Sequence, residues 1–271
     1  MANTKGVGFL PKQTAFSERH EAFFESFPRL NAAIDAAFDR TITGNGPLHP
    51  AVFYLGIRTV DDFLAILVLC ANDLALPAQG LIRSMYERVV TAAHLHANPD
   101  DAGDFAEFEV IERRRAAQQL KEAIGIPPEL EASFQQIEEE YQRVKSRFET
   151  NLGRIRQRWS KTSFVELAKN QERLAELLVY AYYVPLQQAH STLRSATAVL
   201  HEADGTFALR TDFTELSDEV FRLAYLLLIH ALAIQAQHFA EPAIEAAVER
   251  AADDYLTIYS AKDAASDRSG A

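Results

Sequence analysis

The sequence predicts an all-α protein, and three observations support this fold class. Apolar residues recur with the 3.6-residue period of a helix, and the two-residue alternation of strands is almost absent. Glycine and proline are concentrated in a few short runs instead of being spread along the chain. Apolar residues make up 48% of the 271 positions, which is enough to bury one sizeable core.

The glycine- and proline-rich runs divide the chain into helices. They lie at 41–50 (TITGNGPLHP), 125–130 (GIPPEL) and 203–213 (ADGTFALRTDF). The periodicity between them predicts helices over 14–40, 49–75, 77–97, 101–124, 128–158, 163–178, 184–203 and 214–250. We expect these helices to pack, mostly antiparallel, into a single domain over 1–255 that includes a long charged helical hairpin. Residues 256–271 have few apolar anchors, so we expect a disordered tail there.

Local signals support several of these boundaries. Asn98-Pro99 and the aspartates that follow end one helix and begin the next, because negative charge is favoured at a helix N-terminus. Ser163 and Glu166 form the S-x-x-E pattern of a capping box. Pro185 fits the first turn of its helix, or else kinks a longer helix that passes through Tyr180.

Charge and composition limit the classes of function. The net charge of −11 argues against a surface built wholly for nucleic acid. Cys70 is the only cysteine and lies in an apolar run, so we expect a buried thiol and no internal disulfide. The N-terminus lacks the apolar core of a signal peptide, and the longest apolar runs are shorter than the ~18 residues of a membrane span. We therefore expect a cytoplasmic protein of bacterial type that does not enter a membrane.

Residues 141–161 depart from the acidic average, and two interpretations stay open. One is a solvated hairpin whose charges pair with neighbouring acidic faces. The other is a track that binds RNA or a nucleotide through its phosphates. A single acidic residue, Glu149, stands among the seven basic residues of this stretch: Arg143, Lys145, Arg147, Arg154, Arg156, Arg158 and Lys161.

The most distinctive pattern follows Tyr182. If this segment is helical, Tyr183, His190, Arg194 and His201 share one polar face beside an apolar face. Two imidazoles and a guanidinium are the groups that proton transfer and anion binding require. The same side chains also commonly face water, so the pattern alone does not separate the two roles.

A second helix, LIRSMYERVVTAAHLH, offers a partner face. Arg83, Glu87 and His94 share one side of it, and Arg83 and Glu87 are spaced for an intrahelical ion pair. If the two faces meet, Arg83 and Arg194 could bind a phosphate through their planar forks. The predicted site then consists of substrate-binding Arg83, Glu87, His94 and Tyr183, and catalytic His190, Arg194 and His201. No glycine-rich phosphate loop, CxxC, HExxH or Glu-x-x-His motif is present, so we expect no metal and no cofactor.

Two family resemblances follow from these residues. The runs LIRSMYE and YAYYVPLQQAHST, with the basic-aromatic stretch that ends at Trp159, resemble a bacterial all-helical family known as domain of unknown function 5677. That resemblance covers roughly 60–215 and implies roles for Arg83, Glu87, Tyr183 and His190. The spacing of Arg194 and His201 resembles the Arg…His signature of HEPN-type (higher eukaryote and prokaryote nucleotide-binding) ribonucleases.

The second resemblance implies a chemistry and a biological setting. Arg194 would stabilise the scissile phosphate and His201 would handle the proton of the 2′-hydroxyl. Such proteins are commonly homodimeric, metal-independent and linked to toxin or phage-defence roles. We therefore expect a bacterial defence or toxin-like protein that acts on RNA or a nucleotide, and that is a metal-independent ribonuclease if it is catalytic. The alternatives are a non-catalytic helical interaction or ligand-binding module and a small-molecule enzyme with the same pocket.

Overall fold

A computed structural model describes residues 9–44, 46–189, 200–203, 206–209 and 212–269. Its regular elements are helices apart from one two-stranded hairpin, which confirms the predicted fold class. The hairpin pairs β1 (Leu200–Ala203) with β2 (Thr206–Leu209). The helices are α1 (Leu10–Arg19), α2 (Glu21–Phe38), α3 (Leu48–Ala71), α4 (Ala75–Ala97), α5 (Ala102–Ile124), α6 (Glu131–Phe148), α7 (Phe164–Lys169), α8 (Glu172–Ala175), α9 (Val184–Ala189), α10 (Thr214–Phe239) and α11 (Pro242–Ser269).

The centre of the domain is the antiparallel pair α3 and α4, with α10 packed against both. α11 packs against α2 and α10. Aromatic rings fill the junction of α2, α3 and α10, where the ring of Phe23 meets those of Phe63, Phe221 and Tyr225. Cys70 is buried as expected, and burial raises the pKa of its thiol to about 12.

Among the described residues, one helix is long and apolar enough to cross a membrane. This is α10, whose most apolar stretch has a mean hydropathy of 1.5. That stretch is 67% buried inside the domain, which is consistent with the core helix of a soluble protein.

The predicted charged hairpin is formed by α5 and α6, which pack against each other. It has a small core of its own, built from Phe108, Ile111 and Phe148. Its second arm is shorter than the helix predicted over 128–158, because α6 ends at Phe148 and a tight segment follows. There Glu149 bridges to Ile155, and Gly153 adopts a left-handed φ of 69° that other residues rarely accept.

The later helices differ from the prediction at several boundaries. The helix predicted over 163–178 is divided into α7 and α8, although Ser163 caps α7 as predicted: the N–H of Glu166 donates to Ser163 Oγ at 3.2 Å. The helix predicted over 214–250 breaks after Phe239, where Ala240 has a left-handed φ of 49° and Pro242 begins α11. α11 continues to Ser269 and buries Tyr259, in the region where the sequence predicts a disordered tail from residue 256.

The helix predicted over 184–203 is wrong over its last four residues. Leu200–Ala203 is a strand that pairs with Thr206–Leu209, and Ala203 lies opposite Thr206. The sequence signal for this hairpin is the Asp204-Gly205 pair between the strands, a dipeptide that favours two-residue hairpin turns. The polar stripe from Tyr183 to His201 is therefore not a single helical face.

Candidate functional site around Arg83

Arg83 and Glu87 form the predicted ion pair on α4. The Nε–H of Arg83 donates to Glu87 Oε1 at 2.9 Å. Both side chains are partly exposed, at 31% and 40%, and such a pair contributes only about 0.3–0.5 kcal/mol to stability. Its main effect is to fix the orientation of the guanidinium.

The guanidinium of Arg83 also stacks on an aromatic cluster from the late part of the chain. It lies 4.9 Å from the centroid of the Tyr182 ring. That ring packs against Phe164 on one side and edge-on against Tyr183 on the other. α4 contacts the turn that carries these tyrosines and the helix α9 that follows it. The structure therefore brings three predicted site residues, Arg83, Glu87 and Tyr183, to one surface.

The tyrosines lie on a π-helical turn, Val179–Tyr183. The N–H of Val184 bonds to the carbonyl of Val179, five residues earlier. Pro185 stands in the first turn of α9 and has no N–H to donate, so it cannot form the backbone hydrogen bond of an ordinary α-helix. The π-helical turn comes directly before this position. Pro185 therefore lies in the first turn of a helix and also follows directly on the helical turn that contains Tyr180, so the two positions predicted for it are combined. Isolated π-turns within helices are frequent at functional sites.

Arg83 keeps most of its hydrogen-bonding capacity. A guanidinium carries five N–H donors, and Glu87 takes the one on Nε. Within the described ranges, no other residue bonds to its two terminal nitrogens. A guanidinium that is held on one edge, covered on one face and free at its terminal nitrogens is suited to a phosphate or a carboxylate.

The predicted catalytic residues cannot all be placed. His190 and Arg194 lie outside the described residues, although His190 follows directly on Ala189, the last described residue of α9. His201 lies in β1, with its Cα opposite that of Ala208. The expectation that His201 shares a helical face with Tyr183 is wrong, because His201 lies in a strand.

His94 lies on the same side of α4 as Arg83, but at a distance from it. The two residues are eleven positions apart, about 16 Å along a helix axis at 1.5 Å per residue. His94 Nε2 lies 2.7 Å from Asp101 Oδ2, and its ring packs against Trp159. These contacts give His94 a structural role at the end of α4, and its substrate-binding role stays a prediction.

The basic stretch 141–161 is partly neutralised. Arg147 pairs with Asp104 and Glu107, and Arg156 also pairs with Asp104. Arg156 further donates to the carbonyls of Arg147 and Trp159. These contacts favour the hairpin interpretation for both arginines. In the part of the chain that the structure describes, no ion pair involves the remaining basic residues of the stretch, Arg143, Lys145, Arg154, Arg158 and Lys161.

A cavity of about 530 Å³ lies near the Arg83 site. It is bounded by α4, the π-turn, α9, α10 and α11, and its wall is mostly aliphatic. Gln79, one helical turn before Arg83, lines it and is buried, and Gln79 Oε1 has no described hydrogen-bond partner. Glu219 and Tyr180 also line the cavity, and both are exposed.

The structure also reveals polar groups that sequence reasoning missed. His49, His96 and His238 meet at the far end of α4, and Asp62 on α3 pairs with Arg88 on α4. No local motif marks either group, because their members are far apart in sequence. Within the described residues, no three His, Cys, Asp or Glu side chains are arranged to hold a metal ion.

Comparison with known proteins identifies one relationship. No curated protein and no solved structure showed a significant match to the chain. A family model matches residues 49–207, which is more than half of the chain and includes Arg83, Glu87 and the π-turn. The chain belongs to the family of unknown function DUF5677.

Proposed function

We propose that the Arg83 cluster (Arg83, Glu87, Tyr182 and Tyr183) binds a phosphate of RNA or of a nucleotide. The proposal rests mainly on the guanidinium of Arg83, which is fixed by Glu87 and Tyr182 while its terminal nitrogens have no described partner. Tyr183 is 39% exposed beside it, so its ring could stack on a base.

The segment after α9 would supply the proton transfer. Cleavage of RNA through its 2′-hydroxyl needs a base for the attacking hydroxyl, an acid for the leaving oxygen and positive charge at the phosphate. Arg83 and Arg194 would provide that charge, and His190 and His201 would provide the base and the acid. The resulting activity is that of a metal-independent ribonuclease in a bacterial defence or toxin-like system, as the resemblance to HEPN-type ribonucleases implies.

Arg83→Ala should reduce RNA cleavage in the presence of EDTA by about 10²–10³-fold, the usual cost of losing one donor to transition-state charge. Thermal stability should change little, because the side chain is partly exposed and its ion pair is weak. Arg83→Lys keeps the charge and loses the planar fork, so it should recover only part of the activity. The assay is cleavage of total RNA, with circular dichroism to verify folding.

Arg58→Ala is the matched control for Arg83. Arg58 is a partly exposed arginine on neighbouring α3 and pairs with Asp61 three residues later. Its replacement should leave cleavage unchanged. Equal activities of Arg83→Ala and wild type would eliminate Arg83 as a phosphate ligand, and an inactive wild type would eliminate the ribonuclease proposal.

A second candidate function is non-catalytic ligand binding, and the cavity beside α4 favours it. Its size lies within the range of roughly 300–1,000 Å³ that is usual for small-molecule sites. Its mostly aliphatic wall, together with the polar side chains of Gln79, Glu219 and Arg222, fits a largely apolar molecule with a polar end.

Leu223→Trp should fill this cavity and weaken binding of the fluorescent probe 1-aminoanthracene by at least about tenfold, since ligand sites bury most of a ligand's surface. Leu120→Trp on α5, where Leu120 is 37% exposed, adds the same bulk outside the cavity and should leave binding unchanged. The titration is followed by probe fluorescence. Equal affinities of the Leu223→Trp and wild-type proteins would show that the probe does not bind in the cavity.

A further inference from the structure

Three imidazoles form a row at one end of the helical bundle. Each stands next to the end of its helix: His49 is the second residue of α3, while His96 and His238 are the penultimate residues of α4 and α10. His49 Nδ1 lies 2.9 Å from His238 Nε2, and His96 Nδ1 lies 3.3 Å from His238 Nδ1. All three are half-buried. We call this group the imidazole row.

Both contacts of the imidazole row can be hydrogen bonds only while the row carries at most one added proton. A neutral imidazole has one N–H donor and one acceptor nitrogen. His238 uses both of its nitrogens, so in the neutral row it donates to one neighbour and accepts from the other. One added proton on His238 would let it donate to both neighbours, but it would place a positive charge in a half-buried position near the guanidinium of Arg40. With a second added proton, at least one contact sets an N–H against another N–H and becomes repulsive.

The charged surroundings also oppose added protons. The guanidinium of Arg40 stacks on Phe239 at 4.0 Å, and its Nε and Nη2 are buried without a described partner. Burial lowers the pKa of Arg40, and the carboxylate of Glu241 opposes that shift. Burial, followed by the charges of His49, His96 and Arg40, lowers the pKa of His238 to about 4. Glu241 is therefore the one described acidic group that acts on Arg40 here.

We propose that the imidazole row is a pH-responsive latch, which joins the ends of α3, α4 and α10 when it is neutral and releases them as it takes up protons. The row lies thirteen residues from Arg83 along α4, about 20 Å at 1.5 Å per residue, so it is separate from the proposed phosphate site. Opening this end would move α4 and α10, which are two of the helices that border the cavity.

The direction of the response follows from linkage. Once the latch opens, His238 regains an ordinary pKa of about 6.5, whereas it titrates near 4 in the closed row. The open state therefore binds more protons between these two values, and the closed state loses its advantage as the pH falls through this window. Each proton taken up shifts the opening equilibrium by at most about tenfold per pH unit.

Hydrogen exchange measured by mass spectrometry tests the latch in the full-length protein. Between about pH 7.5 and pH 5, and after correction for intrinsic exchange, protection of peptides over 46–56, 90–98 and 232–242 should fall by about tenfold or more. Peptides from α5 and α6 should keep their protection. His238→Gln retains a donor and an acceptor but cannot take up the proton, so its protection should be independent of pH.

His230→Gln is the matched control, because His230 is another half-buried histidine on α10 whose pKa is lowered by burial. It should keep the wild-type pH response in the three latch peptides. If His238→Gln fails to fold, His96→Gln replaces an outer member of the row and should show a reduced response. A wild-type protein without the pH-dependent loss, a His238→Gln variant that retains it, or a His230→Gln variant that abolishes it would overturn the proposal.

Discussion

Phe23→Ala is expected to lower the free energy of unfolding by about 3–5 kcal/mol, the usual cost of deleting a buried aromatic ring. Phe23 is fully buried on α2. Its ring meets Phe221 at 4.7 Å and Tyr225 at 5.3 Å, both nearly edge-on, and Phe63 on α3 is 6.4 Å away. Because three helices share these contacts, the surrounding chain cannot easily collapse into the space. Urea denaturation followed by circular dichroism measures the change.

Phe9→Ala removes the same side chain from an exposed position. Phe9 is 61% exposed at the start of α1, and its structural contribution is a backbone N–H that donates to Asn72 Oδ1, which the substitution keeps. Its effect should stay within about 0.5 kcal/mol. Equal losses for the Phe9 and Phe23 variants would contradict the position of Phe23 at the centre of the core.

Arg88→Leu is expected to cost about 3–5 kcal/mol, because it leaves a buried carboxylate without its cation. The carboxylate belongs to Asp62 on α3, which is 6% exposed, and Arg88 reaches it from α4. Arg88 is itself partly buried, and this burial lowers the pKa of its guanidinium. The same denaturation experiment measures the loss.

The double variant Arg88→Leu with Asp62→Leu separates the cost of an unpaired charge from the value of the pair. Replacing both members of a buried pair with apolar residues is often neutral or stabilising, so the double variant should recover most of the lost stability. The exposed pair Arg58–Asp61 gives the comparison, since Arg58→Ala should cost at most about 1 kcal/mol. A double variant as unstable as Arg88→Leu would show that Asp62 is not the reason for the loss.

Interactions between residues close in sequence could be predicted from the sequence. The ion pair of Arg83 with Glu87 and the Ser163 cap each depend on a spacing of three or four residues within one helix, which the helical period sets directly. The burial of Cys70 follows from the apolar run around it. The all-α class follows for the same reason, because each helix repeats its own local pattern.

The predicted helices are wrong where the helical period of the sequence continues past the end of a helix in the structure. The spacing of the polar residues from Tyr183 to His201 fits a helix. The pair Asp204-Gly205 favours a hairpin turn, however, and Leu200–Ala203 pairs with the strand Thr206–Leu209. The helix predicted over 214–250 includes Ala240, and nothing in the sequence predicts the left-handed conformation of this alanine. The residue that indicates a helix boundary here is Pro242.

Contacts between distant segments could be predicted only in part. The stacking of Arg83 on Tyr182 matches the expected meeting of two helices, because both segments carry unusual polar patterns. No sequence pattern indicates that His49, His96 and His238 meet. Its members are single histidines on three helices, and only the packing of helix ends brings them together.

Binding of a labelled single-stranded RNA is the most direct test of the claim that Arg83 is a phosphate ligand. Fluorescence anisotropy with an oligonucleotide of about 12 residues gives the affinity at several salt concentrations between roughly 50 and 200 mM. Arg83→Gln should bind more weakly, and its plot of log affinity against log salt should be shallower by about 0.7, the loss of one phosphate contact on a single strand. Arg58→Gln should match wild type. An Arg83→Gln variant with the affinity and salt slope of wild type would contradict the claim.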